Sequence, residues 1–252
     1  VARRLFGVAL GKCPRKKIFE AYIGVEMELG NFDRCRVLFQ KMLEHFPQLS
    51  EGWVAYAKME AALPELERAR AILEVGITQE LDLPETLWDC YVAIETDAVQ
   101  CDLEDGVVRA DDTGIWRRVC DVFERRIERG ATVALWQQYG SFCGARQGKE
   151  NMRAVMSRAD AHYKQHVATA QAAHDAALAA SKERETEAAA GVLTVGFAGT
   201  VTVGGGLNTT ELPAALIRAK EDRVAALEAW VSLEEQLGDD EGVKNVRAKL
   251  PQ

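Results

Sequence analysis

Phe19-Glu-Ala-Tyr22-Ile-Gly-Val-Glu26-Met-Glu-Leu-Gly-Asn31 returns near the other end of the chain as Leu227-Glu-Ala-Trp230-Val-Ser-Leu-Glu234-Glu-Gln-Leu-Gly-Asp239, with five of thirteen positions identical. Such self-similarity marks a repeat. Three more copies lie between them: Trp53-Val-Ala-Tyr56-Ala-Lys-Met-Glu60, Trp88-Asp-Cys-Tyr91-Val-Ala-Ile-Glu95 and Trp136-Gln-Gln-Tyr139-Gly-Ser-Phe-Cys143. The starts at Phe19, Trp53, Trp88 and Trp136 are 34, 35 and 48 residues apart. Glu stands seven residues after the start in every copy except the one ending at Cys143.

Behind each copy comes a second apolar pattern with helical spacing. Arg34-Cys-Arg36-Val-Leu38-Phe39 leads to Leu43, and Arg68-Ala-Arg70-Ala-Ile72-Leu73 leads to Ile77. Arg118-Val-Cys120-Asp-Val122-Phe123 leads to Ile127, and the fourth contains Arg153-Ala-Val155-Met156. Apolar residues one and five apart form a helical stripe, not the alternation of a strand. Gly30-Asn31 and Pro64 separate first from second helices, while Pro14, Pro47, Pro84 and Gly130 separate one pair from the next. Proline cannot continue a helix and drives the residue before it out of helical geometry. The unit is a helix hairpin too small to bury its own apolar face, so hairpins must stack. The expected fold is all-α, an α-solenoid of stacked antiparallel helix hairpins. Arg3-Arg-Leu5-Phe6 to Leu10 reads as the second helix of a further repeat, so the sequence is expected to begin in mid-repeat within something longer.

The aromatic pairs Phe19/Tyr22, Trp53/Tyr56, Trp88/Tyr91 and Trp136/Tyr139, with Leu227/Trp230 in the last copy, are expected to pack inside the hairpins. Recurrence at one register is what packing requires; a stacking platform for RNA bases needs exposed rings beside basic residues. Glu26, Glu60, Glu95 and Glu234 recur in separate hairpins, whereas a catalytic carboxylate pair must converge on one cleft. Each is expected to meet an arginine of a following second helix, such as Arg36 or Arg70, or a backbone donor. His162 and His166 have a metal-compatible spacing, but no HExxH motif and no cysteine or carboxylate cluster completes a site, so they read as a solvated helix face. Cysteines 13, 35, 90, 101, 120 and 143 show no CxxC spacing and read as reduced thiols in helical patterns. Neither GxxxxGK[ST] nor GxSxG occurs, and no GxGxxG follows a strand. No cofactor, metal or catalytic residue is expected.

The 252 residues carry 31 Lys and Arg against 39 Asp and Glu, a net charge of −8 spread evenly along the chain. An acidic balance suits protein partners better than bare nucleic acid, whose affinity comes from neutralised phosphates. Residues 165–212 interrupt the pattern. The alanine-rich part, with its high helix propensity, is expected to prolong the second helix of the fourth repeat to as many as 43 residues, ended by Gly191. The Val/Thr/Gly run 192–206 reads as a mobile loop. Ala188 to Thr210 is uncharged for 23 residues, but six Gly and five Thr argue against a membrane-spanning helix. The organisation expected is a repeat array over 1–164, an extended helix and flexible insertion over 165–212, and a terminal helix pair over 213–252.

The aromatic-x2-aromatic-x3-Glu helix followed by Arg-x-aliphatic-[Phe/Leu]-Glu resembles the half-a-TPR (HAT) repeat of RNA-processing scaffolds. Phe32-Asp-Arg-Cys-Arg36, Leu66-Glu-Arg-Ala-Arg-Ala-Ile72, Asp82-Leu-Pro-Glu-Thr-Leu-Trp88-Asp-Cys-Tyr91 with Glu95, and Leu227-Glu-Ala-Trp230 with Gly238 narrow the resemblance. They look like the carboxyl-terminal half of the crooked-neck-like pre-mRNA splicing factors, over about 1–160 and 215–252, and 165–212 has no counterpart there. The resemblance implies a nuclear, non-enzymatic scaffold, a helical-repeat arch of the nineteen (Prp-nineteen-associated) complex. Its implied partners are other nineteen-complex and spliceosomal proteins, including a second HAT-repeat arch and a Myb-type cell-division-cycle-five-like subunit. Spliceosomal RNA would lie near, with mostly indirect contact, and no membrane would be involved.

Three other classes compete. A HAT scaffold of mRNA 3′-end cleavage or ribosomal-RNA processing would share the repeat but lack the Asp-Leu-Pro-Glu-x-Leu-Trp string at 82–88. A tetratricopeptide co-chaperone would line its groove with Lys and Arg to hold a carboxylate. An enzyme would show turnover abolished by a change at one of the Glu positions. The packing reading is open to a direct check: Trp88→Ala is expected to cost about 3–5 kcal/mol, and an unchanged melting temperature would place the ring on the surface.

Overall fold

The structure is a computed structural model that describes residues 2–63, 65–108, 114–189 and 211–251. Among these residues there are eleven α-helices and no strand, the all-α hairpin class that the periodicity calls for. They are α1 (Ala2–Lys12), α2 (Lys16–Glu28), α3 (Phe32–His45), α4 (Ser50–Ala62), α5 (Leu66–Ile77) and α6 (Pro84–Glu104). The others are α7 (Arg117–Arg129), α8 (Val133–Arg146), α9 (Lys149–Ala189), α10 (Glu211–Gln236) and α11 (Asp240–Arg247). The chain forms two compact units, residues 1–126 and 127–252.

In the first unit α2 packs on α3 and α4 on α5, each pair a hairpin, while α3 meets α4 and α4 meets α6. One apolar core runs through them, including Phe19, Phe39, Met42, Trp53, Leu73 and Trp88. The hairpin turns follow from local chemistry. Gly30 takes φ +68°, a left-handed conformation that costs glycine little. Its N–H bonds to the Met27 carbonyl (3.0 Å) and that of Asn31 to the Glu26 carbonyl (2.9 Å), the paired pattern that satisfies the last carbonyls of a helix. Gly238 repeats it in the second unit, at φ +67°, with its own N–H on the Glu235 carbonyl and that of Asp239 on Glu234. The Leu-Gly-Asn and Leu-Gly-Asp strings are therefore helix stops. Pro84 opens α6 in its first turn, where no N–H partner is needed.

In the second unit α8 packs on α9, α10 packs on both, and α11 closes on α10. Trp136, Tyr139, Met152, Met156, Leu227 and Trp230 are buried in its core. Helix α9 continues through the alanine-rich stretch for 41 residues, a span of about 60 Å. The Val/Thr/Gly run at 192–206 lies outside the described residues. No described helix is long and apolar enough to cross a membrane.

Candidate functional site

The chemistry the chain repeats is a clasp between hairpins. Glu26, Glu60, Glu95 and Glu234 stand in or near the last turn of a first helix, or mid-helix in the longer α6, and are at most 2% exposed. A carboxylate removed from water is costly unless it is paired and hydrogen-bonded. Each receives one arginine side-on, through the same atoms. Arg3 donates Nε to Glu26 Oε1 and Nη2 to Oε2, both at 2.8 Å. Arg36 does so to Glu60 at 2.7 and 2.8 Å, and Arg70 to Glu95 at 2.6 and 2.8 Å. In the second unit Arg153 reaches Glu234 at 2.8 and 2.9 Å. Two parallel charge-assisted bonds fix orientation as well as energy.

These partners correct the expectation of an arginine on the following second helix. Each bidentate arginine comes from the second helix before the glutamate, so the pair joins one repeat to the next. The following helix gives only looser contacts, Arg34 at 3.7 Å from Glu26 and Arg68 at 3.8 Å from Glu60. The reason is stacking. A first helix lies against the second helix of the preceding hairpin, as α4 does on α3, and brings its glutamate opposite that helix's first turns. Arg3 and Asn31 hold the Glu26 carboxyl below the usual carboxylate range, and the guanidinium groups of Arg36, Arg70 and Arg153 are pushed up by their glutamates.

A third group steadies three of the four arginines. Asp33, Glu67 and Glu150, three residues ahead of Arg36, Arg70 and Arg153, accept from Nη1 at 2.8, 2.5 and 3.5 Å. They sit in the first turn, where the helix dipole favours negative charge. An acid-x-x-Arg spacing at the start of α3, α5 and α9 was the available signal for them. In the second unit the Cα of Gly242 crosses so close that a Cβ there would lie 2.5 Å from Glu234 Oε2. Asp239 also accepts from Arg153 at 2.8 Å and from Lys149 at 3.2 Å.

Aromatic contacts back the clasp. Phe6 stacks on Tyr22 at 4.9 Å and Phe39 on Tyr56 at 5.1 Å, near-parallel in both cases. At the next interface Leu73 takes the phenylalanine position, and the Tyr91 hydroxyl instead donates to Glu74 Oε1 (2.7 Å), which Arg125 also grips at 2.6 and 2.7 Å. Loops are tied as well. The Ser50 N–H donates to Asp82 Oδ1 (2.9 Å), and the Leu83 N–H donates to Ser50 Oγ (3.0 Å). Asp82 thus caps α4 from the following repeat, a link between residues 32 apart with no local spacing rule to reveal it.

The remaining candidates do not converge on a catalytic cleft. His162 and His166 hold their rings 4.4 Å apart on α9, His166 exposed and Tyr163 buried between them in sequence. Among the described residues no group of three or more His, Cys, Asp or Glu is placed to hold a metal ion. In the sequence register Cys120 stands where Arg36 and Arg70 stand, and Cys143 where Glu60 and Glu95 stand. Each of these two register positions carries a thiol.

A chain whose recurring polar chemistry joins its own hairpins is a helical-repeat protein. No family model matches it. Its similarity is to the crooked neck and CLF1 pre-mRNA-splicing factors. It is 36% identical over 143 residues to crooked neck-like protein 1 of Homo sapiens, covering 56% of this chain and 15% of that protein. Against pre-mRNA-splicing factor CLF1 of Paracoccidioides brasiliensis the identity is 28% over 252 residues, 99% of this chain and 30% of the relative. Against protein crooked neck of Drosophila melanogaster it is 46% over 88 residues, 34% and 12%. The chain therefore spans less than a third of the length of each of these curated relatives.

Two tests address the ties. Arg36→Ala strands the buried Glu60 carboxylate, with an expected loss of about 3–5 kcal/mol in urea unfolding. Replacing Arg36 and Glu60 together by Met should recover most of it; a double variant as unstable as the single would deny the coupling. The second concerns pH. Ser50, through its hydroxyl and its N–H, holds the Asp82 carboxyl below its ordinary value, as does the Leu83 N–H. That stability is present at neutral pH and is lost as pH falls through the ordinary carboxylate value towards the lower folded one. Asp82→Asn should flatten the acid limb of the stability–pH curve below about pH 4, read by thermal melts at stepped pH.

Proposed function

We propose that this chain works as part of a non-enzymatic scaffold in pre-mRNA splicing, a helical-repeat segment of the nineteen complex that organises other proteins around the spliceosome core in the nucleus. The supporting observation is the similarity, along 99% of the chain, to a relative named a pre-mRNA-splicing factor. The site chemistry is compatible with it, because the repeated carboxylates are consumed by guanidinium groups and hold hairpins together. In this reading residues 1–164 and 213–252 supply the repeats, and 165–212 is an insertion carried between them. Phe19, Tyr22, Trp53, Tyr56, Trp88, Tyr91, Trp136, Tyr139, Leu227 and Trp230 serve stability, as do the clasp glutamates with Arg70 and its equivalents. Partners then bind other surfaces: a second HAT-repeat arch, a Myb-type cell-division-cycle-five-like subunit and further spliceosomal proteins, with RNA contacted mostly through them.

Affinity purification of the full-length protein from nuclear extract at moderate salt tests this, with mass spectrometry of retained proteins and hybridisation for spliceosomal small nuclear RNAs. Recovery of nineteen-complex proteins with those RNAs is expected. Recovery of polyadenylation or ribosome-assembly factors instead would keep the fold and assign the scaffold to mRNA 3′-end cleavage or ribosomal-RNA processing.

A further inference from the structure

Superposing the second helices of the first unit on their clasp arginines, Arg3, Arg36 and Arg70, brings out a face that the clasp leaves unused. One residue after the arginine stand Arg4, Val37 and Ala71; five after, Val8, Lys41 and Val75; eight after, Gly11, Glu44 and Thr78. Steps of four and three keep these positions on one side of a helix. Three branched aliphatics fall on it, Val8, Val37 and Val75, and they are 52%, 48% and 52% exposed. Single exposed valines mean little, but recurrence on one face of successive repeats is a surface property.

Between α1 and α3 this face opens into a cleft of about 640 Å³. Gly7 and Gly11 form one wall, Val37 and Lys41 the other, and the edges of Phe19 and Tyr22 the floor. The cleft exists because α1 has glycine where α3 carries Gln40 and Glu44 and α5 carries Glu74 and Thr78. A Cβ added at Gly7 or Gly11 would meet nothing within 4 Å, so core packing does not call for glycine at either position. The rim carries two basic side chains, Lys41 and Arg34 (the latter also 3.7 Å from Glu26), against the carboxylate of Glu44. In a chain of net charge −8 that local reversal of sign matters.

We propose that this face is a docking surface for an apolar, acid-flanked segment of a partner protein, its side chains in the α1–α3 cleft and its carboxylates against Lys41 and Arg34. The proposal rests on the scaffold reading and specifies one of its surfaces. Apolar side chains fit the cleft floor and the valines, and acidic flanks complement the rim. RNA fits less well, because the aromatic rings at the floor are buried and offer no stacking face.

The test uses the full chain and fluorescence anisotropy with synthetic amphipathic peptides of about four helical turns, identical in their Leu and Phe positions and flanked by Glu or by Lys. A short oligouridine serves as the RNA probe. The Glu-flanked peptide is expected to bind with a Kd of about 1–100 μM, and the Lys-flanked one at least about tenfold more weakly. Gly7→Gln combined with Gly11→Glu copies the residues of α3 into α1 and fills the cleft. This variant and Lys41→Glu should each weaken the acidic peptide about tenfold or more, with melting temperatures unchanged or raised. Equal binding by wild type and both variants, or preference for the Lys-flanked peptide or the oligouridine, overturns the proposal. So does self-association in sedimentation that the filled variant abolishes, which would give the face to a second copy. The peptide readout stands apart from the nuclear purification. If the filled variant still retained splicing proteins as the wild type does, this surface would fail while the scaffold reading held.

Discussion

A carboxylate buried to the last few square ångströms cannot be left unpaired, and this chain buries one at the same register of four first helices. That single constraint sets the geometry between repeats. The guanidinium must approach edge-on with Nε and Nη2, so the preceding second helix can sit at only one height and one rotation. Neither partner suits its own helix well. A glutamate in a last turn and an arginine near a first turn both oppose the helix dipole, and their union cancels the two penalties. The aromatic stacks of Phe6 on Tyr22 and Phe39 on Tyr56 fill the space beside that fixed approach.

Using the signature residues inside the repeat separates stability from recognition. The glutamates, arginines and aromatics at shared register are spent on holding hairpins together. Positions that differ from helix to helix, such as Val8, Lys41 and Val75, lie on the exposed face of the second helices. A repeat protein can therefore change partners without touching its clasps.

Much of this was legible in one dimension. The period, the hairpin unit and the helix stop at Gly30 follow from residue spacing, because backbone conformation and apolar periodicity are local. The burial of Trp53, Trp88 and Trp136 could be read for the same reason. The partner of each glutamate could not. Glu60 has Arg68 close behind it and Arg36 well before it, and chain proximity favours the wrong one. Asp82 capping Ser50 was invisible too, since a loop reaching back to the previous repeat leaves no periodic trace.

The sequence by itself determined the class of fold, the repeating unit, and the residue types that had to be buried, since these depend on spacing and on the cost of exposing aromatic surface to water. Only the tertiary structure decided which arginine met which glutamate, which loops were tied, and which face of the second helices stayed open. Those outcomes depend on the stacking of one hairpin against another in three dimensions, and no spacing along a single chain specifies that height and rotation.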